Sequence, residues 1–594
     1  MGAASSATSG GGLNISNKLR NYFVFPCAAF ISFPDTKGYI EYQDNPEDRL
    51  IEEPTSSNLG WIIAYAKFGT SVAVVPKFFD SLAPSRIEVA LPDQTEWPSS
   101  LWSRLDARDS VHIRSEDFQK LGIAIYLRLA LGKWAEGIPN FEGFYRGLPF
   151  GSRITLTSFE EDPSKAKFEV SRSGHSADGP LRSRKQLGEM WHLEADAMPP
   201  EISYLDLCFK HHIAGDVIVV SLRKDPSQRM AFKSSRKAPL NIYHEIKVLL
   251  TMPPADCIIG RPLYLVTIPM GKEQTGVCGF LLEFYDKGCL EDILTDRRLN
   301  GTLVFKDQLQ WALDLTSALL HIQASPAHFY SDLRMDQLVL RTTDDGKERA
   351  VLLDFEQSRN IYNWAPPEIY YLEWIAELGS QEYARTDHLS AATMSKYGAI
   401  LARYLKSRGH PETFSLRSHY DNPDHGWYWP WITSKPTEQE SGMVYMLGKA
   451  LWCLFEGFGD ADIVLGRSGR EDGQRRFPAF ERTPEPLRGL IRQCTQGARE
   501  WIDGPIKIYR RGGKVFPLGK TGLQGEHEGT LEETKDTIRQ FWKNEMEKAE
   551  RFVEARIRHD KGQAEKDDVD LLYYLRRPSL KTVQKTLQAA LQET

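Results

Sequence analysis

From Ile202 onward, strand-like and helix-like segments follow one another in an order that constrains the fold more than any other feature. Apolar strand signals such as residues 217–222 come first, a helix-like segment at residues 243–250 interrupts them, and further strand signals follow. Helical periodicity then continues to the end of the chain. This order predicts an α+β fold in which a small β-rich lobe precedes a large helical lobe.

The length of the chain, 594 residues, is too great for one hydrophobic core, so several domains are expected. The predicted divisions are a disordered arm at 1–19, an α/β region of unknown role at 20–197, the two-lobed domain at 198–505, and a basic loop with a helical tail at 506–594.

The predicted α/β region contains short runs that are typical of strands, at residues 22–33, 61–68, 71–79, 86–91 and 153–158. One helix is expected after Ser115, because four apolar residues follow a helical spacing. These residues are Phe118, Leu121, Ile125 and Leu129. The stretch 162–184 is rich in Ser, Gly and charge and is predicted to be a loop or linker.

The predicted tail contains two amphipathic helices. The first would place Ile538, Trp542, Met546, Ala549, Val553 and Ile557 on one face, and the second Leu580, Val583, Leu587 and Leu591. Two interpretations stay open at this point: the helices pack on the preceding domain, or they bind a partner.

The charge balance disfavours some classes of partner. There are 80 acidic and 74 basic side chains, a net charge of −6, so no positive excess indicates nucleic acid, although basic clusters at 182–185 and 510–514 offer local contacts. No apolar run approaches the roughly 20 residues of a membrane span, and no membrane partner is expected. The 7 cysteines are scattered without zinc-type spacing, which favours a reducing compartment and a cytoplasmic location.

Several charged residues lie where strand or helix signals end. Lys233 ends a strand signal, and Glu245 lies in the helix-like segment, where its carboxylate would pair with the lysine. Taken alone, a strand lysine is usually only solvated, and Glu245 could equally lie on a helix surface. Further along, an apolar run at 279–284 leads into a glycine turn, and another at 350–353 leads into Asp354-Phe355-Glu356.

Taken in order, these segments resemble the motifs of protein kinases. Residues 330–340 are similar to the catalytic loop His-Arg-Asp-Leu-x-x-x-Asn, and residues 354–356 to the magnesium-binding Asp-Phe-Gly. Residues 364–368 resemble the Ala-Pro-Glu that ends an activation segment, and residues 444–452 a core helix of the large lobe. The combination of Asp-Phe-Glu with Pro-Pro-Glu looks like a group of fungal kinase-like proteins.

The resemblance implies ATP and magnesium as cofactors and gives each matching residue an expected role. Asp332 would be the catalytic base, and Arg334 would steady the phosphoryl charge. Asp354 and Gln337 would be the metal ligands. Lys233, held in place by Glu245, would contact the phosphates of the nucleotide. The backbone near Glu283 and Tyr285 would contact the adenine. Gly215 would belong to the glycine-rich loop that covers the phosphates.

Departures from the kinase pattern put these roles in question. The glycine-rich loop would map onto residues 210–217, where Gly215 is the glycine that remains. Gln337 replaces the family asparagine, Glu356 replaces a glycine, and Met443 replaces the aspartate that opens the core helix. A side chain at position 356 also loses the backbone freedom of glycine.

Three hypotheses for function follow. The first is a nucleotide-dependent phosphotransferase that acts on an unknown protein or small molecule. The second is a pseudokinase that serves as a binding scaffold. The third is a kinase fold turned to fungal biosynthesis, with an arginine-containing cyclodipeptide synthase, which takes aminoacyl groups from tRNA, as its specific candidate; that link is one of association, without a matching residue motif. The aromatic stretch 427–431 would stack a ring or pack beneath a loop.

Overall fold

A computed structural model of the protein shows a mixed α+β architecture. It describes residues 13–15, 26–30, 39–40, 60–67, 71–79, 87–92, 96–101, 105, 122–148, 152–171, 181–214, 217–234, 239–270, 274–357, 360, 364–382, 389–411, 414–416, 426–461, 477–502, 508–511, 514–517 and 531–594.

The first described segments already differ from the sequence-based expectations. The predicted disordered arm contains a short strand, β1 (Leu13–Ile15), which pairs with β2 (Tyr39–Ile40). Within the strand predicted at 22–33, Pro26–Ala29 forms a 3-10 turn instead. Its residues are buried against helices near the end of the chain, so distant packing decided its conformation.

A five-stranded sheet follows, in the order β3-β4-β5-β6-β7. Its strands are β3 (Trp61–Lys67), β4 (Ser71–Pro76), β5 (Ile87–Ala90), β6 (Arg153–Ser158) and β7 (Lys167–Ser171). The strands predicted near residues 61, 71, 86 and 153 are thus confirmed. By contrast, β7 lies inside the predicted linker 162–184, and that prediction is wrong there: Phe168 and Val170 alternate with exposed polar residues and pack on the sheet's core.

Helices α1 (Gly122–Glu136) and α2 (Phe141–Arg146) cover this first sheet. Of the apolar set predicted for the helix, Ile125 and Leu129 lie in α1, whereas Phe118 and Leu121 lie outside the described residues. Gly122 begins the described helix.

The second sheet has six strands in the order β8-β12-β13-β11-β10-β9. Helix α3 (Arg184–Trp191) precedes it, and its strands are β8 (Glu201–Ser203), β9 (Leu207–Ala214), β10 (Val217–Leu222), β11 (Asp225–Ser234), β12 (Tyr264–Pro269) and β13 (Thr275–Glu283). Helix α4 (Pro239–Thr251) comes between β11 and β12 and buries Ile242, Ile246 and Leu249.

Helices dominate the next segment, with one two-stranded hairpin among them. The elements are α5 (Leu290–Leu299), α6 (Phe305–Ala324), β14 (Leu338–Thr342), β15 (Glu348–Leu352), α7 (Pro367–Gly379), α8 (Ala391–Ser407), α9 (Trp429–Ile432), α10 (Pro436–Glu456), α11 (Glu485–Cys494) and α12 (Arg499–Ile502). Helix α10 is buried along most of its length, and the hydrophobic core that it shares with α6 continues to α4.

The last part of the chain packs on this helical segment. The predicted basic loop near residue 510 forms a hairpin of β16 (Ile508–Arg511) and β17 (Lys514–Pro517), and β17 pairs with β1. Three helices complete the chain, α13 (Leu531–Asp560), α14 (Lys566–Leu571) and α15 (Leu580–Gln592).

Both amphipathic faces predicted for the tail are buried. All six residues of the first face, from Ile538 to Ile557, lie in a core with α7 and α8, and Leu580, Val583 and Leu587 of the second face lie in the core with α6. Packing on the preceding domain is therefore the interpretation that the structure supports. Among the described residues, no helix is long and apolar enough to cross a membrane.

Candidate functional site

Lys233 lies near the end of β11 and is surrounded by three acidic side chains from two other parts of the chain. Its Nζ is 2.6 Å from Glu245 Oε2, 2.6 Å from Asp354 Oδ1 and 3.1 Å from Glu356 Oε1. We call Glu245, Asp354 and Glu356 the carboxylate cluster. Its members each offer an oxygen within 4.8 Å of the others.

Glu245 comes from α4, and the fold fixes both of its carboxylate oxygens. While Oε2 faces Lys233, Oε1 accepts a hydrogen bond from the backbone N–H of Phe355 at 3.1 Å. The side chain is 1% exposed, and burial raises the pKa of Glu245 to about 7, although the charge of Lys233 opposes the rise. This residue therefore ties α4 to the Asp-Phe-Glu segment as well as to the lysine.

Asp354 follows β15 and has a left-handed backbone conformation, with φ of 61°. A non-glycine residue adopts this conformation at a cost, so the surrounding contacts must hold it there. Gln357 is also left-handed, with φ of 51°. The left-handed positions of this turn are thus Asp354 and Gln357 rather than Glu356, so the side chain at position 356 creates no backbone strain.

The charges of the cluster and the lysine depend on each other. Burial disfavours the charged ammonium, but Asp354, Glu245 and Glu356 together hold the pKa of Lys233 well above its usual range. Burial likewise favours a neutral Asp354, yet the neighbouring Lys233 keeps the pKa of that carboxyl below its usual range. The lysine is therefore a fixed positive charge inside a negative pocket.

Asp332 and Arg334 lie in the loop after α6 and form an ion pair, with 3.4 Å between Asp332 Oδ2 and Arg334 Nη2. Asp332 is 6% exposed, and burial raises its pKa well above the usual range; Arg334 opposes this rise, while Asp354 adds to it. Arg334 also lies 3.3 Å from Asp336. Asp332, the predicted base, and Asp354, the predicted metal ligand, thus influence each other electrostatically.

Tyr330 connects this loop to the segment that carries Asp354. Its hydroxyl donates to the carbonyl of Leu353 at 2.6 Å, and its backbone N–H donates to the sulfur of Met443 at 3.4 Å. Met443 therefore anchors the loop through its sulfur, a weak acceptor. Gln337 is buried, and its backbone carbonyl accepts a hydrogen bond from the N–H of Leu353 at 2.9 Å. This bond places Gln337 beside the segment that carries Asp354.

The residues predicted to bind adenine lie at the end of β13. Glu283 pairs with Met230 of β11, in the strand pair that also aligns Lys233 with Phe280. The Tyr285 hydroxyl donates to Glu283 Oε2 at 3.1 Å, and burial raises the pKa of Tyr285. Gly215, the predicted phosphate-loop glycine, lies outside the described residues.

Sequence reasoning missed several polar contacts of the site. The Trp427 indole N–H donates to the carbonyl of Glu356 at 2.5 Å, and Gln357 hydrogen-bonds to His244 at 2.7 Å. A polar residue such as His244 within the largely apolar segment 243–250 indicates a buried hydrogen bond. The sequence does not identify its partner, which is 113 residues away. Of the aromatic stretch 427–431, Tyr428, Trp429 and Trp431 are buried, so most of it packs in the core.

The basic cluster at 182–185 serves the fold through Arg184. This guanidinium donates to the carbonyls of Ala195, Met198 and Pro199, at 2.6 to 2.8 Å. An arginine engaged in this way orders the backbone before β8.

The donor set of the carboxylate cluster fits a hard cation such as magnesium, which prefers oxygen ligands. Lys233 lies among the same oxygens, so a cation and the ammonium would share them.

No protein-family model matches the chain, and no curated protein matches it either. Function is therefore inferred from the geometry of the site.

Proposed function

We propose that the chain is a nucleotide-dependent phosphotransferase with a protein-kinase-like site. The observation that carries the proposal is the convergence of Lys233, Glu245 and Asp354, which are remote in sequence. The Lys233 ammonium lies 2.6 Å from a carboxylate oxygen of each of the two acidic residues. Protein kinases hold ATP phosphates with a strand lysine that pairs with a helix glutamate, and they hold magnesium with an aspartate that follows a strand.

The order of elements around the site supports a two-lobed arrangement. The five antiparallel strands β9 to β13, with α4, supply Lys233 and Glu245, whereas the segment after α6 supplies Asp332 and Asp354. We propose that these correspond to the small and large lobes, and that a nucleotide lies between them with its base near Glu283.

In the proposed reaction, each side chain has one task. Lys233 neutralises phosphate oxygens, and Asp332 accepts the proton of the attacking hydroxyl while that oxygen bonds to phosphorus and the bond to the nucleoside-diphosphate leaving group breaks. Arg334, 3.4 Å from Asp332, favours the carboxylate form that accepts the proton, and its charge would also stabilise the transferring phosphoryl group. Asp354, with Gln337, would hold magnesium, which neutralises phosphate charge when bound.

A thermal-shift measurement with ATP and magnesium tests the proposal. A ligand at 100 times its Kd stabilises the folded state by about 2.7 kcal/mol, so a clear rise of Tm is expected for the natural protein. Lys233→Met and Asp354→Asn should abolish the rise, whereas Lys347→Met, on an exposed turn, should not. No rise with magnesium or manganese, together with no transfer of label from γ-labelled ATP, would overturn the proposal.

One observation favours the second candidate, a pseudokinase scaffold. Lys233 is already fully paired with three carboxylates, and Glu356 adds an acidic group where kinases have none. A scaffold would bind its partner equally well in the Lys233→Met and Asp354→Asn variants. Loss of partner binding in those variants would count against it.

A further inference from the structure

Gln357 is a buried residue whose side chain contacts α4 and the loop after α6, two of the segments that form the site. Its Nε2 donates to the carbonyls of Ala327 and Phe329 at 3.1 and 2.6 Å, and its Oε1 lies 2.7 Å from His244 Nε2. The residue is 1% exposed. It is also left-handed, which indicates that these contacts hold the backbone in place.

The chemistry of the partners fixes the orientation of the amide. Backbone carbonyls accept and do not donate, so the NH₂ group must face Ala327 and Phe329. Oε1 then faces His244, whose Nε2 must carry the hydrogen. Every polar atom of the Gln357 side chain thus has a defined role.

The partners of Gln357 lie next to the charged residues of the site. His244 precedes Glu245 on α4, and Phe329 precedes the loop that carries Asp332. Gln357 itself follows Glu356 directly. A single side chain therefore joins α4, the Asp332 loop and the segment that contains Asp354 and Glu356.

We propose that Gln357, together with His244, is a positioning residue that holds the carboxylate cluster around Lys233. Its significance for catalysis rests on the proposed function, but the geometric claim does not. Without the hydrogen bonds of Gln357, the carbonyl of Phe329 would lose its donor at 2.6 Å, and the left-handed turn would lose the contacts that favour it. Asp354 and Glu356 would then move away from the ammonium.

Chemical labelling of Lys233 measures this directly. An amine-reactive reagent modifies a lysine when its amine is released from its ion pairs, and mass spectrometry of the full chain quantifies the modified peptide. In the natural protein the Lys233 side chain is 11% exposed and lies among three carboxylates, so it should be labelled slowly. Loss of the Gln357 hydrogen bonds should free the lysine more often, and we therefore expect Gln357→Met to increase the labelling rate roughly three- to tenfold.

His244→Phe and the double variant with Gln357→Met complete a double-mutant cycle. Phenylalanine keeps the ring and removes the donor to Oε1, so it should also increase labelling. Because both residues belong to one network, the double variant should label less than the product of the single effects predicts. Independent, multiplicative effects would contradict a shared positioning role.

Thr316→Val is the matched control for general destabilisation. Thr316 is fully buried in α6, and its hydroxyl donates to Ala312 at 2.7 Å, so the variant removes a buried hydrogen bond outside the site. Its labelling should equal that of the natural protein. Equal labelling of Lys233 in all variants, or an equal increase in the control, would overturn the positioning role.

The readout keeps the two proposals separate, since labelling requires no nucleotide. If ATP does not bind but the Gln357 variant exposes Lys233, the positioning role stands and the phosphotransferase proposal fails. If ATP binds and labelling is unchanged, the reverse holds.

Discussion

Arg577, near the end of the chain, pairs with Glu368 at the start of α7, 209 residues earlier. Its Nη1 donates to Oε1 at 2.5 Å and its Nη2 to Oε2 at 3.1 Å, and both side chains are almost fully buried. The guanidinium also donates to the carbonyls of Ser441 and Gln496 and lies 4.7 Å from the ring of Tyr445. This pair makes the tail part of the helical segment.

Arg577→Met tests that conclusion. It leaves the Glu368 carboxylate buried without its partner, and breaking a buried ion pair from one side costs about 3–5 kcal/mol. Urea denaturation of the natural and variant chains gives the difference in free energy of unfolding. The neighbouring Arg576→Met is the control, because Arg576 is 45% exposed and its pair with Asp570 spans 3.5 Å. That change should cost less than about 1 kcal/mol, and equal losses would contradict a special role for Arg577.

A second buried group, Glu438, should make the packing of α13 on the helical segment sensitive to acid. Arg556 of α13 and Arg408 both donate to its carboxylate, at 2.8 and 2.7 Å. Burial favours the neutral acid, but these two charges hold the pKa of Glu438 far below the 4.5 of an unperturbed glutamate. The unfolded chain therefore binds a proton at a higher pH than the folded chain does.

The direction in which stability changes with pH follows from that difference. The stabilisation by Glu438 is complete above about pH 4.5 and declines as the pH falls below it, by at most about 1.4 kcal/mol per pH unit. Glu438→Gln should be less stable at neutral pH and should show a weaker acid dependence, measured by urea denaturation from neutral to acidic pH. Glu142→Gln, in an exposed helical pair, should keep the acid dependence of the natural protein. An unchanged acid dependence in Glu438→Gln would refute the assignment.

The sequence predicted those parts of the fold and site that depend on local patterns. Alternation and helical spacing located most strands and the two tail helices, and the expected partnership of Lys233 with Glu245 is present at 2.6 Å. The contacts that were missed, such as those of Trp427 with Glu356 and of His244 with Gln357, join residues that are far apart in the chain. Periodicity does not encode such contacts. Similarly, the turn at Pro26–Ala29 follows from burial against distant helices, which overrode a strand-like composition.

Glu356 should weaken nucleotide binding, because it competes with phosphate for Lys233. The contact spans 3.1 Å, and Glu356 is 21% exposed, so solvent screens it in part. An ion pair of this kind is worth up to about 1 kcal/mol, and Glu356→Gln should therefore lower the Kd of ATP with magnesium by about two- to fivefold. Titration calorimetry provides the measurement. Asp354→Asn should act in the opposite direction, and a weaker affinity in Glu356→Gln would show that this carboxylate assists binding.

The position of β11 can be perturbed without changing any charge in the site. Gly279 of β13 pairs with Ser234, beside Lys233, and an added Cβ would collide with the carbonyl of Lys233 and lie 2.7 Å from the ring of Phe232. Both neighbours belong to a packed sheet, so Gly279→Ala should shift the strand and cost about 1–3 kcal/mol of unfolding free energy.

The same variant should lose most of its stabilisation by ATP and magnesium, because a displaced lysine no longer meets the carboxylate cluster. Thermal shifts with and without ligand measure the effect. Gly260→Ala is the control, since nothing lies within 4 Å of its added Cβ, and it should match the natural protein in both respects. If Gly279→Ala lowered the Tm but kept the full ligand-dependent rise, the exact placement of β11 would not govern binding. Charge alone at Lys233 would then suffice, and the backbone register of β11 with β13 would matter for folding rather than for the site.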